Sequence, residues 1–247
     1  MNGADTVDQF VRLHHEGAAS TITLANPARS NTLTYAAMNQ LIDALRAVHE
    51  RRPVLLEIRA DGDDFCLGRD QGEKPEGITK AQSLQLILVA NDLLRTFEGV
   101  SVCVVQGRAL GFGSGLAVQS DITIAAESAV LGFDEVAHGL APLVVAEYLP
   151  PLVGPRATAD LVFTGRPMPA EEALRIGLVS RVVPDAALAD EAAALSEGLL
   201  ATEPGALRLL KSYSTRLQRG ELDDPPTQAV AELDSWLSAG RPAFPGV

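Results

Sequence analysis

The chain has 247 residues, 47% of them apolar and 21% charged, with a formal net charge of −12. This suits one large domain or two small ones with a sizeable core, and it excludes global disorder. The acidic balance is spread along the chain and argues against nucleic-acid binding, but a few local cations or helix N-termini could still hold an anionic small ligand.

Two cysteines, Cys66 and Cys103, make no disulfide framework and point to a reducing compartment. His14, His15, His49 and His138 show no metal-ligand spacing, so no metal is expected. The first residues lack a basic segment followed by an apolar core, and no apolar run reaches the roughly 18–20 residues of a membrane span. The expectation is a soluble, cytoplasmic protein without a membrane or nucleic-acid partner.

In chain order, "STITL" (20–24) alternates as a strand and runs into the turn-rich "NPARSN". Met38, Leu41, Leu45 and Val48 then recur at helical intervals, predicting an amphipathic helix with Thr34 as its N-cap and Pro53 as its stop. "VLLEIRA" follows as a strand. Residues 61–80 are polar and glycine-rich apart from the insert Phe65-Cys66-Leu67, and 71–80 reads as a segment that could let a site open. A helix is predicted over about 81–97, then the strand "VSVCVVQ", the loop "GRALGFGSGL", a short helix and the strand "DITIAAE". "SAVLGFDEVAHGLAP" reads as a short strand, a loop and a turn. From about 143 onward the pattern is helical, broken by "TGRPMP" and "GLVSRVVP". Strand–helix–strand order of this kind is an α/β signature, here with a helical C-terminal segment.

The glycine loop poses the functional question. Its glycines at 111, 113 and 115 miss the G-x-G-x-x-G spacing of a dinucleotide loop, and no Gly-Lys-Ser/Thr of a P-loop follows. Three readings remain open: nucleotide-phosphate binding despite the poor motif match, tight strand-to-helix packing, or a backbone N–H at a helix start aimed at a substrate oxygen. A second loop, "DDFCLGRD" (63–70), also places a glycine after a strand. If its Arg69 amide converged with one from the glycine loop, two fixed donors would hold one oxygen.

"FCLGRD", "GRALGFGSGLAVQSDITIAAESAVLGFDEVAHGLAP" and "LVFTGRPMPAEEALRIGLVSRVVP" occur in an order and spacing that resemble the crotonase family of enoyl-CoA hydratases and isomerases. The resemblance covers roughly residues 10–200. It implies a core of repeated ββα units over 1–195. It further implies a shortened helical segment over 196–247 that serves trimerisation and closes the acyl pocket, and assembly into trimers or hexamers. It implies an acyl-CoA thioester as substrate, with coenzyme A part of the substrate and no separate cofactor. The thioester oxygen is then expected between the amides of Arg69 and Phe112. Cys66, Leu67, Gly68, Asp70, Gly111 and Gly115 are expected around the substrate, and the "FCLGRD" segment near the coenzyme A moiety.

Hydratases of the family use two glutamates. Their positions fall here on Gly115 and Glu135, so one carboxylate is present and its partner is missing. A single base suits isomerisation through a dienolate better than hydration. Hydrolysis or decarboxylation by the same fold, and a binding protein without turnover, are the alternatives. Glu147, Asp134 and His138 are the sequence candidates for the space above Gly115, and His138 is the candidate partner of Glu135. Cys66 reads as packing, and Asp121 as a strand-entry or capping group.

Overall fold

The computed structural model describes residues 9–241. A six-stranded sheet runs in the order β1 (Val11–Glu16), β2 (Ala19–Leu24), β3 (Leu55–Ala60), β4 (Val100–Val105), β6 (Ile122–Ala126) and β9 (Arg181–Val183). Only β1 is antiparallel to its neighbour. A small second sheet orders β5 (Arg108–Leu110), β7 (Val130–Gly132) and β8 (Met168–Pro169). Helices α1 (Tyr35–Arg51), α2 (Lys80–Arg95) and α3 (Phe112–Gln119) alternate with the strands. They are followed by α4 (Leu143–Tyr148), α5 (Pro150–Thr164), α6 (Ala170–Arg175), α7 (Leu188–Leu200), α8 (Pro204–Gln218) and α9 (Pro225–Ser238).

The expected α/β architecture is present, and its helices start where side-chain chemistry allows. The Thr34 hydroxyl accepts from the Ala37 N–H, satisfying one of the orphan donors of the first turn of α1. The helix buries Met38, Leu41, Ile42, Leu45 and Val48 against the sheet. Burial of each large aliphatic chain stabilises the fold by about 1.5–3 kcal/mol. Helix α2 begins at Lys80 on a capping box formed by Thr79 and Gln82, and ends at Arg95, two residues short of the expected limit.

Strand β1 was not among the elements read from the sequence; it carries the His14-His15 pair, with His14 exposed and His15 Nδ1 2.7 Å from Ser20 Oγ. The division expected at 195/196 falls inside α7, where Ala192 is buried on the sheet and the Ser196 hydroxyl donates to Glu57. Helix α8 is likewise tied to the core. Its buried Arg208 donates to the Arg52 carbonyl, and Lys211 pairs with Asp121, which also accepts from the Ser101 N–H and hydroxyl. Residues 242–247 of the expected C-terminal segment lie outside those described.

The second sheet sets the site. The Cys66 segment bridges in parallel to Ala109 of β5, and Leu33 bridges to Arg69. The loop after β3 is thereby pinned against the start of α3. Among the described residues no helix is long and apolar enough to cross a membrane.

Candidate active site

Two backbone segments approach closely at one end of α3. The Leu110 N–H donates to the Cys66 carbonyl at 2.9 Å, and the Gly111 N–H to the Gly132 carbonyl at 2.9 Å. The Ser114 hydroxyl donates to the Ala109 carbonyl at 2.6 Å and accepts from the Gly132 N–H at 3.0 Å. Strands β5 and β7 therefore fix the direction in which α3 starts. The approach requires bare backbone at Gly68 and Gly113. Gly68 has φ of +80°, and a Cβ there would stand 2.9 Å from the Leu110 oxygen and 3.4 Å from the Phe112 nitrogen. At Gly113 a Cβ would meet the Cys66 carbonyl oxygen at 2.3 Å. Tight packing accounts for the bare backbone at both glycines, and it brings the Gly68 backbone close to the Phe112 nitrogen.

Phe112 is the first residue of α3, where an N–H has no intrahelical acceptor. Among residues 9–241 neither its N–H nor that of Arg69 donates to a protein acceptor. Arg69 and Phe112 both line a cavity of about 360 Å³, together with Leu67, Gly68, Gly111 and Gly115. Apolar residues of α2 and α4, including Leu84, Ile87, Val144 and Val145, form other parts of its wall.

Glu135 enters this cavity from a 3₁₀ turn, Glu135–His138, that follows β7 and closes on Gly139 in the left-handed region. Its Oε1 would lie 3.4 Å from a Cβ at Gly111, so the carboxylate rests over that glycine. Its Oε2 is buried and without a hydrogen-bond partner among the described residues. Burial raises the Glu135 carboxyl above its ordinary value, and the Asp134 charge adds to this. A desolvated carboxyl with a free oxygen in a cavity is equipped to take and return a proton.

Tyr148, at the end of α4, closes the same region. Its hydroxyl stands 3.0 Å from where a Cβ at Gly115 would be, and its ring meets Phe133 edge-on with centroids 6.5 Å apart. Burial and the nearby Glu135 charge raise the phenol well above its ordinary value, so it is un-ionised.

Leu67, Gly68, Arg69, Gly111, Phe112, Gly115 and Glu135 come together around the cavity. Cys66 and Asp70 are not on its wall. Cys66 is fully buried behind it, where its thiol donates to the Asn31 carbonyl and desolvation pushes it up to about 12, an inert packing group. Asp70 turns outward to Arg29 at 2.8 Å. The expected partner of Glu135, His138, instead meets Asp134 at 3.1 Å. The space above Gly115 belongs to Tyr148 rather than to Glu147, which is exposed and reaches toward Arg95, or to Asp134 or His138. Sequence reasoning also missed Asn91 on α2. It is 2% exposed, lines the cavity, and leaves its Oδ1 unpartnered among the described residues. Its position inside an apolar helical stripe was the available signal. Among the described residues no group of three or more His, Cys, Asp or Glu is placed to hold a metal ion.

The family described as enoyl-CoA hydratase/isomerase matches residues 14–234. The chain is 32% identical over 245 residues to the 1,2-epoxyphenylacetyl-CoA isomerase of Escherichia coli K12, covering 95% of this chain and 92% of that protein. It is 28% identical over 219 residues to the short-chain-enoyl-CoA hydratase of Clostridium acetobutylicum, covering 86% and 84%. Among solved structures, a Thermobifida fusca protein in complex with CoA superposes with a TM-score of 0.81 at 31% identity, covering 93% of this chain and 92% of that one. The enoyl-CoA hydratase of Bacillus anthracis superposes at 0.81 with 26% identity, covering 97% and 100%.

Proposed function

This chain belongs to the enoyl-CoA hydratase/isomerase family, and from that premise we propose how its site works. An acyl-CoA thioester binds with its carbonyl oxygen between the N–H groups of Arg69 and Phe112, and Glu135 moves a proton at C2. The observation that carries this reading is the Glu135 carboxylate over Gly111, beside the two unengaged amides, with one buried oxygen free.

Removing a proton at C2 pushes charge onto the thioester oxygen, and two fixed, dehydrated donors stabilise the enolate as it forms. Each is worth about 3 kcal/mol in comparable sites. Glu135 alone suffices for isomerisation, since it can return its proton at a second carbon of a dienolate. Addition of water needs a further group.

The experiment that tests the reading follows exchange of the C2 hydrogens of butyryl-CoA in D2O. The wild type exchanges them. Glu135→Gln loses about 10²–10⁴-fold in rate while still binding coenzyme A esters. A variant that exchanges at the wild-type rate would remove Glu135 from the chemistry.

Self-assembly into trimers or hexamers is part of the proposal. It is supported by the large apolar side chains left exposed on the C-terminal half, among them Phe163, Leu210 and Val230.

A further inference from the structure

The missing carboxylate at position 115 leaves a chemical vacancy that another residue fills. A Cβ at Gly115 would stand 3.0 Å from the Tyr148 hydroxyl, so the phenol occupies the space directly above this glycine and would have to give by a few tenths of an ångström for any side chain there. Tyr148 is 8% exposed, its ring is set edge-on against Phe133, and it lines the cavity beside Glu135. Position 115 lies three residues into α3. At 1.5 Å of rise per residue it is about 4.5 Å beyond the Phe112 amide, past the carbonyl carbon of a substrate held there and alongside the acyl chain.

We propose that Tyr148 is the second proton-handling group of this site: its hydroxyl donates a proton to an oxygen on C3 of the acyl chain. The substrate class is then the 3-hydroxyacyl-CoA and 2-enoyl-CoA pair. This inference rests on the reading of Glu135, Arg69 and Phe112 given above. In the elimination direction Glu135 takes the C2 proton and the C2–H electron pair forms the enolate. The enolate then collapses to the C2=C3 double bond as the C3–O bond breaks. The departing hydroxyl leaves as water with the Tyr148 proton. The resulting phenolate recovers a proton from the Glu135 carboxylic acid, directly or through that water, restoring both groups. Hydration is the same sequence reversed. Burial keeps the phenol protonated, as the donor role requires, and the same desolvation makes the phenolate a strong base for the return step.

The test compares two reactions in three proteins: wild type, Tyr148→Phe and Glu135→Gln. The first reaction is C2 exchange of butyryl-CoA in D2O, which has no C3 oxygen and reports Glu135 and the amides. The second is interconversion of 3-hydroxyacyl-CoA with 2-enoyl-CoA, using 2-butenoyl-, 2-dodecenoyl- and cinnamoyl-CoA. Phenylalanine keeps the ring against Phe133, and residual exchange reports an intact site. The expected result is that Tyr148→Phe lowers the ratio of hydration to exchange by about 10²–10⁴-fold, whereas Glu135→Gln lowers both reactions. Hydration at the wild-type rate in Tyr148→Phe overturns the proposal, and so does a wild type that exchanges C2 hydrogens yet converts none of the three enoyl esters. Absence of exchange in the wild type, or its persistence in Glu135→Gln, overturns the underlying reading and takes this proposal with it.

Discussion

The Glu135 carboxyl is taken out of water and given no hydrogen bond at one oxygen, which costs the charged form most. As a base it works only when ionised. C2 exchange should therefore fall as pH drops through a midpoint above the ordinary 4.5 of a glutamate. The same shift acts on stability with a definite sign. The folded form binds this proton more tightly than the unfolded form does. The stability it contributes is complete below the unfolded value and is lost as pH rises through the folded one. Glu135→Gln removes that loss. Thermal melts should show the variant gaining Tm over the wild type at pH 8 and little or nothing at pH 4. A variant less stable than wild type at pH 8 would show that the carboxylate is instead held by favourable contacts.

At the scale of elements, the site depends on the loop after β3 lying against the start of α3. Gly113→Ala places a methyl 2.3 Å from the Cys66 carbonyl oxygen and 2.8 Å from its Cβ, backbone and near-backbone atoms that cannot swing away. The two segments must part, and the Arg69 amide moves with them. Overpacking of this kind costs about 1–3 kcal/mol, which urea unfolding would measure, and C2 exchange should fall further than stability predicts. Unchanged exchange would mean that the contact does not set the amides. Helix α1 and its Thr34 cap were legible from residue spacing, because an amphipathic helix writes its period locally. The two loops that carry the proposed amide pair, Gly68–Arg69 and Gly111–Phe112, were legible through glycine placement and family motifs. Strand β7 was legible in "SAVLG", whereas β5 and β8, of three and two residues, carry no period of their own and exist because their neighbours hold them. Tyr148 escaped for the same reason. It sits on α4, whose start near 143 was legible, but it reaches Gly115 only through the fold.

For the whole molecule, a net charge of −12 favours solubility, yet several large apolar side chains remain in water, with Phe163 80% and Val230 70% exposed. Together with Leu210, they are the surface expected to be covered by other copies of the chain. Light scattering on the purified protein should return the mass of a trimer or a hexamer. A monomer across the accessible concentration range would contradict that assembly without touching the chemistry. The proposed chemistry stands on one geometry, a thioester oxygen between the Arg69 and Phe112 amides with Glu135 facing C2. A crystal structure with acetoacetyl-CoA tests it most directly. The thioester oxygen is expected at hydrogen-bonding distance, about 2.7–3.2 Å, from both nitrogens. A thioester bound with its oxygen on neither amide, or with C2 turned away from residue 135, would contradict it.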